Sequence, residues 1–241
     1  MDIYAISDLH LSLGTDKPMD IFGWGNHVER LRKNWINSVK KDDYVLIPGD
    51  ISWGINLEEA DPDFAFIESL PGKKIISKGN YDYWWSTRKK FDSYCEEKGY
   101  ETISILQNNS FTVNDHTICG SRGWKPLDDD NFYEKDKKIY FRELERLKLS
   151  LKEGQKTGNE LIAMLHYPPF DTKHRPNDFA ELLAEYNVKI CVYGHIHGKA
   201  DDNLKDENIY GVRYHLISAN IIGFNPIKLR LETNVDCDII K

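Results

Sequence analysis

Five short apolar runs, each breaking off into a small polar cluster, constrain this chain more than any other feature. Ile3 to Ser7 runs into Asp8-Leu9-His10, Tyr44 to Pro48 into Gly49-Asp50, and Lys74 to Ser77 into Gly79-Asn80. Further on, Leu161 to Leu165 meets His166-Tyr167-Pro168-Pro169, and Lys189 to Tyr193 meets Gly194-His195-Ile196-His197-Gly198. Runs of this length, rich in Val, Ile and Tyr, read as strands. Between them lie segments of helical period. Val28 to Lys40 carries Leu31, Trp35, Ile36 and Val39 at helical spacing. Pro62 opens another helix behind an Asp61 cap, with Phe64, Ile67 and Leu70 along one face. Thr87 to Lys98 and Asp178 to Tyr186 read as shorter helices. Strands that alternate with helices predict a largely parallel core sheet.

Ser110 to Gly120, with Asn114-Asp115 at its middle, reads instead as a hairpin, and Tyr210, Val212, Tyr214 and Leu216 alternate with polar residues as a half-buried strand does. A second, more antiparallel sheet is therefore expected. The fold class that follows is α/β, a two-sheet β-sandwich flanked by helices. Lys135 to Gly154 is the one long helix, with Tyr140, Leu144, Leu147 and Leu151 inward and its charges read as a solvated face. With 241 residues, 40% of them hydrophobic, the chain has the apolar material for one continuous core, so residues 1–241 are read as a single domain.

A formal net charge of -7 argues against a duplex nucleic-acid binder, since neutralising many phosphates takes a basic surface. A small phosphate ester held by metal ions is still compatible, because metals bring local positive charge that residue counting misses. The cysteines, Cys95, Cys119, Cys191 and Cys237, are scattered, which suits buried thiols in a reducing compartment better than a zinc knuckle or redox pair. The opening MDIYAISDLH carries acids and lacks a basic segment followed by an apolar one. No apolar run approaches the roughly 18 residues of a membrane span. The expectation is a cytoplasmic protein that does not enter a membrane; oligomeric state is not legible.

In an open α/β sheet, ligands bind at the carboxyl ends of the strands. Here those ends carry Asp8, His10, Asp50, Asn80, His166, His195 and His197. Each offers an oxygen or an imidazole nitrogen, and no thiolate is among them. The set is too large for one tetrahedral ion and suits two ions sharing a carboxylate. Asp8 and His10 stand two apart, as His195 and His197 do, so on extended backbone each pair projects to one side.

These blocks resemble those of the calcineurin-like metallophosphoesterases, which run Asp-x-His, Gly-Asp, Gly-Asn-His-Asp or Glu, His, and Gly-His-x-His in that order. This chain shows DLH at 8 to 10, GD at 49 to 50, GNYD at 79 to 82, HYPP from 166 and GHIH at 194 to 197. The resemblance implies that Asp8, His10 and His197 bind a first metal, that Asn80, His166 and His195 bind a second, and that Asp50 bridges them. It implies a binuclear metal-dependent phosphoesterase acting on phosphodiesters or small phosphate esters, in which a water shared by the ions loses a proton and attacks phosphorus in line. Manganese is the expected metal; iron, zinc, cobalt and nickel also suit mixed oxygen and imidazole ligands.

One position departs from the pattern. In the family the histidine of the Gly-Asn-His block protonates the leaving alcohol, oriented by the acid that follows; here those places hold Tyr81 and Asp82. A phenol, ordinarily of pKa about 10, is a poorer proton donor at neutral pH than an imidazolium near 6.5. Metal binding is therefore expected with reduced turnover. The alternative is a weakly active or inactive metal-binding scaffold of the same fold. The Gly-Asp block also lacks the further acid often found after it, having Ile51-Ser52-Trp53-Gly54 in a place that touches no predicted ligand. Arg122, in SRGW, is the candidate for reaching a substrate phosphate, against the plainer reading of a loop arginine. Trp24, Trp84, Trp85 and Trp124 flank the same loops, as an aromatic wall or as packing. His27 and His174 are candidate substitute proton donors, while His116 and His215 read as structural.

Overall fold

The computed structural model describes residues 1–17, 19, 23–198 and 206–231. Strands β1 (Ile3–Ala5), β2 (Tyr44–Pro48) and β3 (Lys73–Ser77) carry apolar residues on both faces, and β4 (Ile103–Ile105) joins them with both isoleucines on one face. Continuous apolar strands of this kind belong in a parallel sheet covered on both sides. They pair in parallel in that order, and β11 (Ile227–Lys228) adds antiparallel to the free edge of β1. The second sheet has the order β5-β6-β7-β8-β10-β9. Its strands are β5 (Phe111–Val113), β6 (His116–Ser121), β7 (Glu160–Leu165), β8 (Ile190–Tyr193), β9 (Glu207–Ile209) and β10 (Val212–Leu216).

The second sheet corrects one expectation. Its centre, β6-β7-β8-β10, is parallel, and only the edge hairpins β5-β6 and β9-β10 are antiparallel. The hairpin around Asn114-Asp115 is present, with Val113 opposite His116. Tyr210 is not in a strand: with Gly211 it forms a two-residue turn, both at positive φ (56° and 79°), and its ring is exposed. The right-handed twist of the flanking strands favours this turn class, and glycine supplies one of its left-handed positions.

Helices α1 (His27–Ser38), α2 (Leu57–Ser69) and α3 (Arg88–Lys98) cover the first sheet; α4 (Glu134–Gln155) and α5 (Asp178–Glu185) cover the second. Helix α2 begins five residues before Pro62. Asn56, not Asp61, is its cap and accepts from the Glu59 N–H at 2.9 Å. Asp61 instead accepts from the hydroxyls of Tyr94 and Tyr100 and from Lys98, at 2.5, 2.9 and 2.9 Å. In α4 the solvated-face reading fails at Asp136 and Glu143, which are buried among basic partners.

Three apolar layers result: sheet one against α1 to α3, sheet two against α4 and α5, and a central layer where Ala5, Leu46 and Ile75 meet Ile118, Ile162 and Val192. This is the expected helix-sheet-sheet-helix sandwich. Cys95, Cys119 and Cys191 are buried free thiols, and burial pushes the first two up to about 12, so neither is a nucleophile at neutral pH. Cys237 lies outside the described residues. Among the described residues no helix is long and apolar enough to cross a membrane.

Candidate metal centre

The carboxyl ends of β1, β2 and β3 in one sheet and of β7 and β8 in the other converge at one rim of the sandwich. The chain there does not stay extended. Asp8, His10, Asp50 and His195 all adopt positive φ (58°, 45°, 51° and 70°). Left-handed backbone costs a non-glycine residue about 1–3 kcal/mol, and Asp and His tolerate it better than branched residues do. Neighbouring backbone holds it in place: Asp8 N–H donates to Gly49 O, His10 N–H to Asp50 O, and Leu11 N–H to Ile51 O, at 3.1, 3.0 and 2.9 Å. Asp8 and His10 thus come together through tight turns, not through the zigzag of a strand, and His195 and His197 go to different groups.

Asp8, His10 and His197 form one group, with each offered ligand atom within 4.8 Å of the others, and Asp50, His166 and His195 form a second on the same measure. In the first, His10 Nε2 lies 3.3 Å from His197 Nε2, which is 3.5 Å from Asp8 Oδ1. In the second, His166 Nε2 lies 3.2 Å from His195 Nδ1 and 2.7 Å from Asn80 Oδ1, so Asn80 joins this group. Asp50 stands between the two: its Oδ2 is 3.7 Å from His10 Nε2 and 3.5 Å from His166 Nε2. That oxygen is buried and, among the described residues, has no hydrogen-bond donor. A buried carboxylate oxygen without a donor is costly unless a cation meets it.

The charges point the same way. Burial, then the nearby Asp8 and Asp82, push the Asp50 carboxyl up to about 9. Burial holds His10 down near 4 and His166 near 3, against the pull of Asp8, and lowers His195 as well. Neutral imidazoles with free lone pairs beside a carboxylate that resists ionising are what a divalent cation would relieve. Outer partners fix the rings: His166 Nδ1 faces Pro48 O at 3.1 Å and His197 Nδ1 faces Asn220 Oδ1 at 3.0 Å, which leaves both Nε2 atoms turned inward. Asp8 accepts from the Ser7 and Ser218 hydroxyls and from the His195 N–H. Two motif glycines permit the packing. A Cβ on Gly79 would lie 2.1 Å from Asp50 Oδ1, and one on Gly194 would lie 2.2 Å from Asp8 Oδ2.

Tyr81 sits at the rim, 37% exposed, with its N–H donated to Asp50 Oδ1 at 2.8 Å. Its ring stands 4.6 Å from Trp53 and 5.8 Å from His10. Asp82 faces away from it and is fully buried, accepting from the N–H groups of Gly79, Asp50 and Ile51 and from Trp84 Nε1 at 2.7 to 3.0 Å, and from Ser52 N–H at 3.4 Å. It ties the β2 and β3 loops together. Arg122 turns toward α4: its Nη2 is 3.3 Å from Glu143 Oε1 and its guanidinium lies over Trp124. Trp24 packs on His10 and His197, whereas Trp84 is buried beside Asp82 and Trp124 rests on Tyr167. His27 packs on Trp24, and His174 pairs with Glu207 at 2.8 Å. His116 and His215 pair with Glu160 and Asp206.

Sequence reading missed several neighbours of the centre. Trp53 stacks on His10 at 5.0 Å, so the unusual stretch after Gly-Asp does touch a predicted ligand. Tyr167, whose ring lies 4.1 Å from His195, was visible only as part of HYPP. Ser218 and Asn220 carry no local signal, because nothing near them in sequence marks a strand end that meets Asp8 and His197.

Comparison with known proteins agrees with this fold. Among solved structures, a protein from Thermus thermophilus superposes with a TM-score of 0.57 at 13% identity, over 94% of this chain and 96% of that one. The phosphopantetheinyl hydrolase of Mycobacterium tuberculosis superposes with a TM-score of 0.55 at 14% identity, over 92% and 90%. A protein of unknown function from Aquifex aeolicus gives 0.51 at 15% identity, over 94% and 95%. At such identities the likeness is one of fold. No curated protein sequence matches. The profile of the calcineurin-like phosphoesterases matches residues 1–199, the stretch that holds every residue of the two groups, and the chain belongs to that family.

Proposed function

We propose that this protein is a hydrolase of phosphodiesters or small phosphate esters that works with two divalent ions, manganese foremost. The observation that carries the proposal is Asp50 Oδ2, buried, without a donor, and flanked by a histidine of each group. Asp8, His10 and His197 would hold one ion, Asn80, His166 and His195 the other, and Asp50 both. Bound there, the ions supply an activated water and neutralise charge developing on the phosphoryl oxygens. The chain's own part is positioning: Asp82 fixes the Asp50 backbone, and Pro48 and Asn220 aim the imidazoles.

In this reading the leaving group would depart past Tyr81 at the open rim, where a phenol would donate a hydrogen bond but deliver a proton less readily than an imidazolium. Loss of a general acid typically costs about 10²- to 10⁴-fold, least for leaving groups that need no protonation. The test is hydrolysis of bis-p-nitrophenyl phosphate and an alkyl phosphodiester with Mn²⁺, by the protein and by Tyr81→His. Turnover of the aryl ester by the protein, with a gain of about tenfold or more on the alkyl ester in the variant, is expected. An alkyl-ester rate unchanged by Tyr81→His would remove the assigned role of position 81. Two bound ions with both proteins inert would leave a metal-binding scaffold.

A further inference from the structure

Beside the metal centre, not over it, lies a cleft of about 390 Å³ between the ends of β3, β4 and β6, roofed by α4 and the first turn of α3. None of its lining residues is a metal ligand. Its cations are Lys78, Lys90, Arg122, Arg142 and Arg146, and Glu143 is the one acid that lines it. This is a concentrated positive patch on a chain of net charge -7. Glu143, almost fully buried, pairs with Arg146 at 2.8 Å, Arg122 at 3.3 Å and Arg142 at 3.7 Å, so one carboxylate is divided among three guanidiniums.

Several donors in the lining have no partner among the described residues. Ser77 Oγ belongs to a residue only 1% exposed and makes no hydrogen bond; Ser86 Oγ and Arg122 Nε are likewise buried and unmatched. Unmatched buried polar groups cost about 1–3 kcal/mol each, so an acceptor entering the cleft is stabilised by each of them that it reaches. Thr87 and Lys90 also place the positive end of the α3 dipole at this wall.

We propose that this cleft binds a phosphate-type oxyanion. A tetrahedral dianion offers several acceptors to forked guanidiniums, an ammonium and hydroxyls at once, which no neutral ligand does. Two short links join it to the metal centre. Lys78 stands two residues before Asn80, and the carbonyl of Arg122 accepts the N–H groups of His166 and Tyr167 at 3.1 and 2.9 Å. The anion can therefore be a second phosphate on the ester being cleaved or a free phosphate acting beside it. The first source rests on the hydrolase reading above; the site itself does not.

The test is titration of inorganic phosphate and pyrophosphate into the full chain after metal removal, followed by calorimetry, so that the metal centre offers no competing site. Saturable binding is expected. Lys90→Gln with Arg142→Gln, both at exposed positions that the core does not depend on, should weaken it about tenfold or more, since hydrogen bonds to charged groups are involved. Ser77→Ala should weaken it several-fold while leaving thermal stability equal or higher, which a purely structural serine would not do. No saturable binding, or binding unchanged in both variants, overturns the proposal. A second arm uses the Mn²⁺-loaded protein with esters that do or do not carry a second phosphate. A KM raised in Lys90→Gln with Arg142→Gln only for the doubly phosphorylated ester assigns the anion to the substrate; an unchanged KM with anion binding still lost assigns it to a free anion. If no ester is cleaved, the hydrolase reading fails while the calorimetry still decides the cleft.

Discussion

Replacing Asp82 by Asn changes no volume and tests whether this acid holds the centre together or takes part in proton transfer. Its Oδ2 accepts from Asp50 and Gly79, and its Oδ1 from Ile51, Ser52 and Trp84. An amide can present oxygen to only one of these sets. With its oxygen toward the larger set, its NH2 meets the N–H groups of Asp50 and Gly79 donor to donor. Two buried donors left unmatched at about 1–3 kcal/mol each give a loss of about 4 kcal/mol. Burial pushes the Asp82 carboxyl up, so relief of a buried charge trims this figure without cancelling the donor mismatch. For a chain of this size about 4 kcal/mol lowers Tm by roughly 10 °C. The assay is thermal unfolding of metal-free protein by circular dichroism, with Mn²⁺ affinity measured alongside. A Tm within about 2 °C of the parent, less than 1 kcal/mol at this size, would refute the clamp and return Asp82 to the role of an acid that orients its neighbour.

Other perturbations address the centre directly. In the metal-free protein the Asp50 carboxyl, raised from 3.8 to about 9, contributes stability at low pH that is lost as pH rises toward 9. His10 and His166, lowered from 6.5 to about 4 and 3, contribute stability above 6.5 that is lost as pH falls toward those values. Urea midpoints should therefore peak near pH 6.5, and Asp50→Asn should remove the alkaline decline. A profile still falling in the variant would show that another group is responsible. Mn²⁺ at about 100 times its Kd should stabilise the chain by about 2.7 kcal/mol. Asp50→Ala should abolish most of that rise and His116→Gln should not, as calorimetric scanning would read. Gly194→Ala puts a Cβ 1.9 Å from Ser7 Oγ, so Asp8 must move, and metal affinity should fall about 10- to 100-fold by titration.

The sequence by itself determined the alternation of strands and helices, the two-sheet sandwich, and which side chains stand where strands run out. Those features are written in contacts between near neighbours: the continuous apolar runs of β2 and β7, the Asn114-Asp115 turn, the three- and four-residue spacing in α4. Local signals misled where a distant partner outweighed them. Asp61 looked like a cap beside Pro62, yet Tyr94 and Tyr100 claim its carboxylate and Asn56 starts the helix earlier. Glu143 looked like part of a wet helix face until β6 brought Arg122 against it.

Only the tertiary structure decided how the candidate ligands divide into two groups around Asp50 and what holds them. Ser218 reaches Asp8 across 210 residues of chain, Pro48 meets His166 across 118, and Trp53 stacks on His10 from a neighbouring strand end. The basic cleft likewise draws on α3, β3, β6 and α4, segments with no common motif. Chemistry-bearing residue types announce themselves in a sequence because few residues can do that chemistry. The partners that aim or neutralise them are ordinary serines, carbonyls and tryptophans, and only their positions in space set them apart.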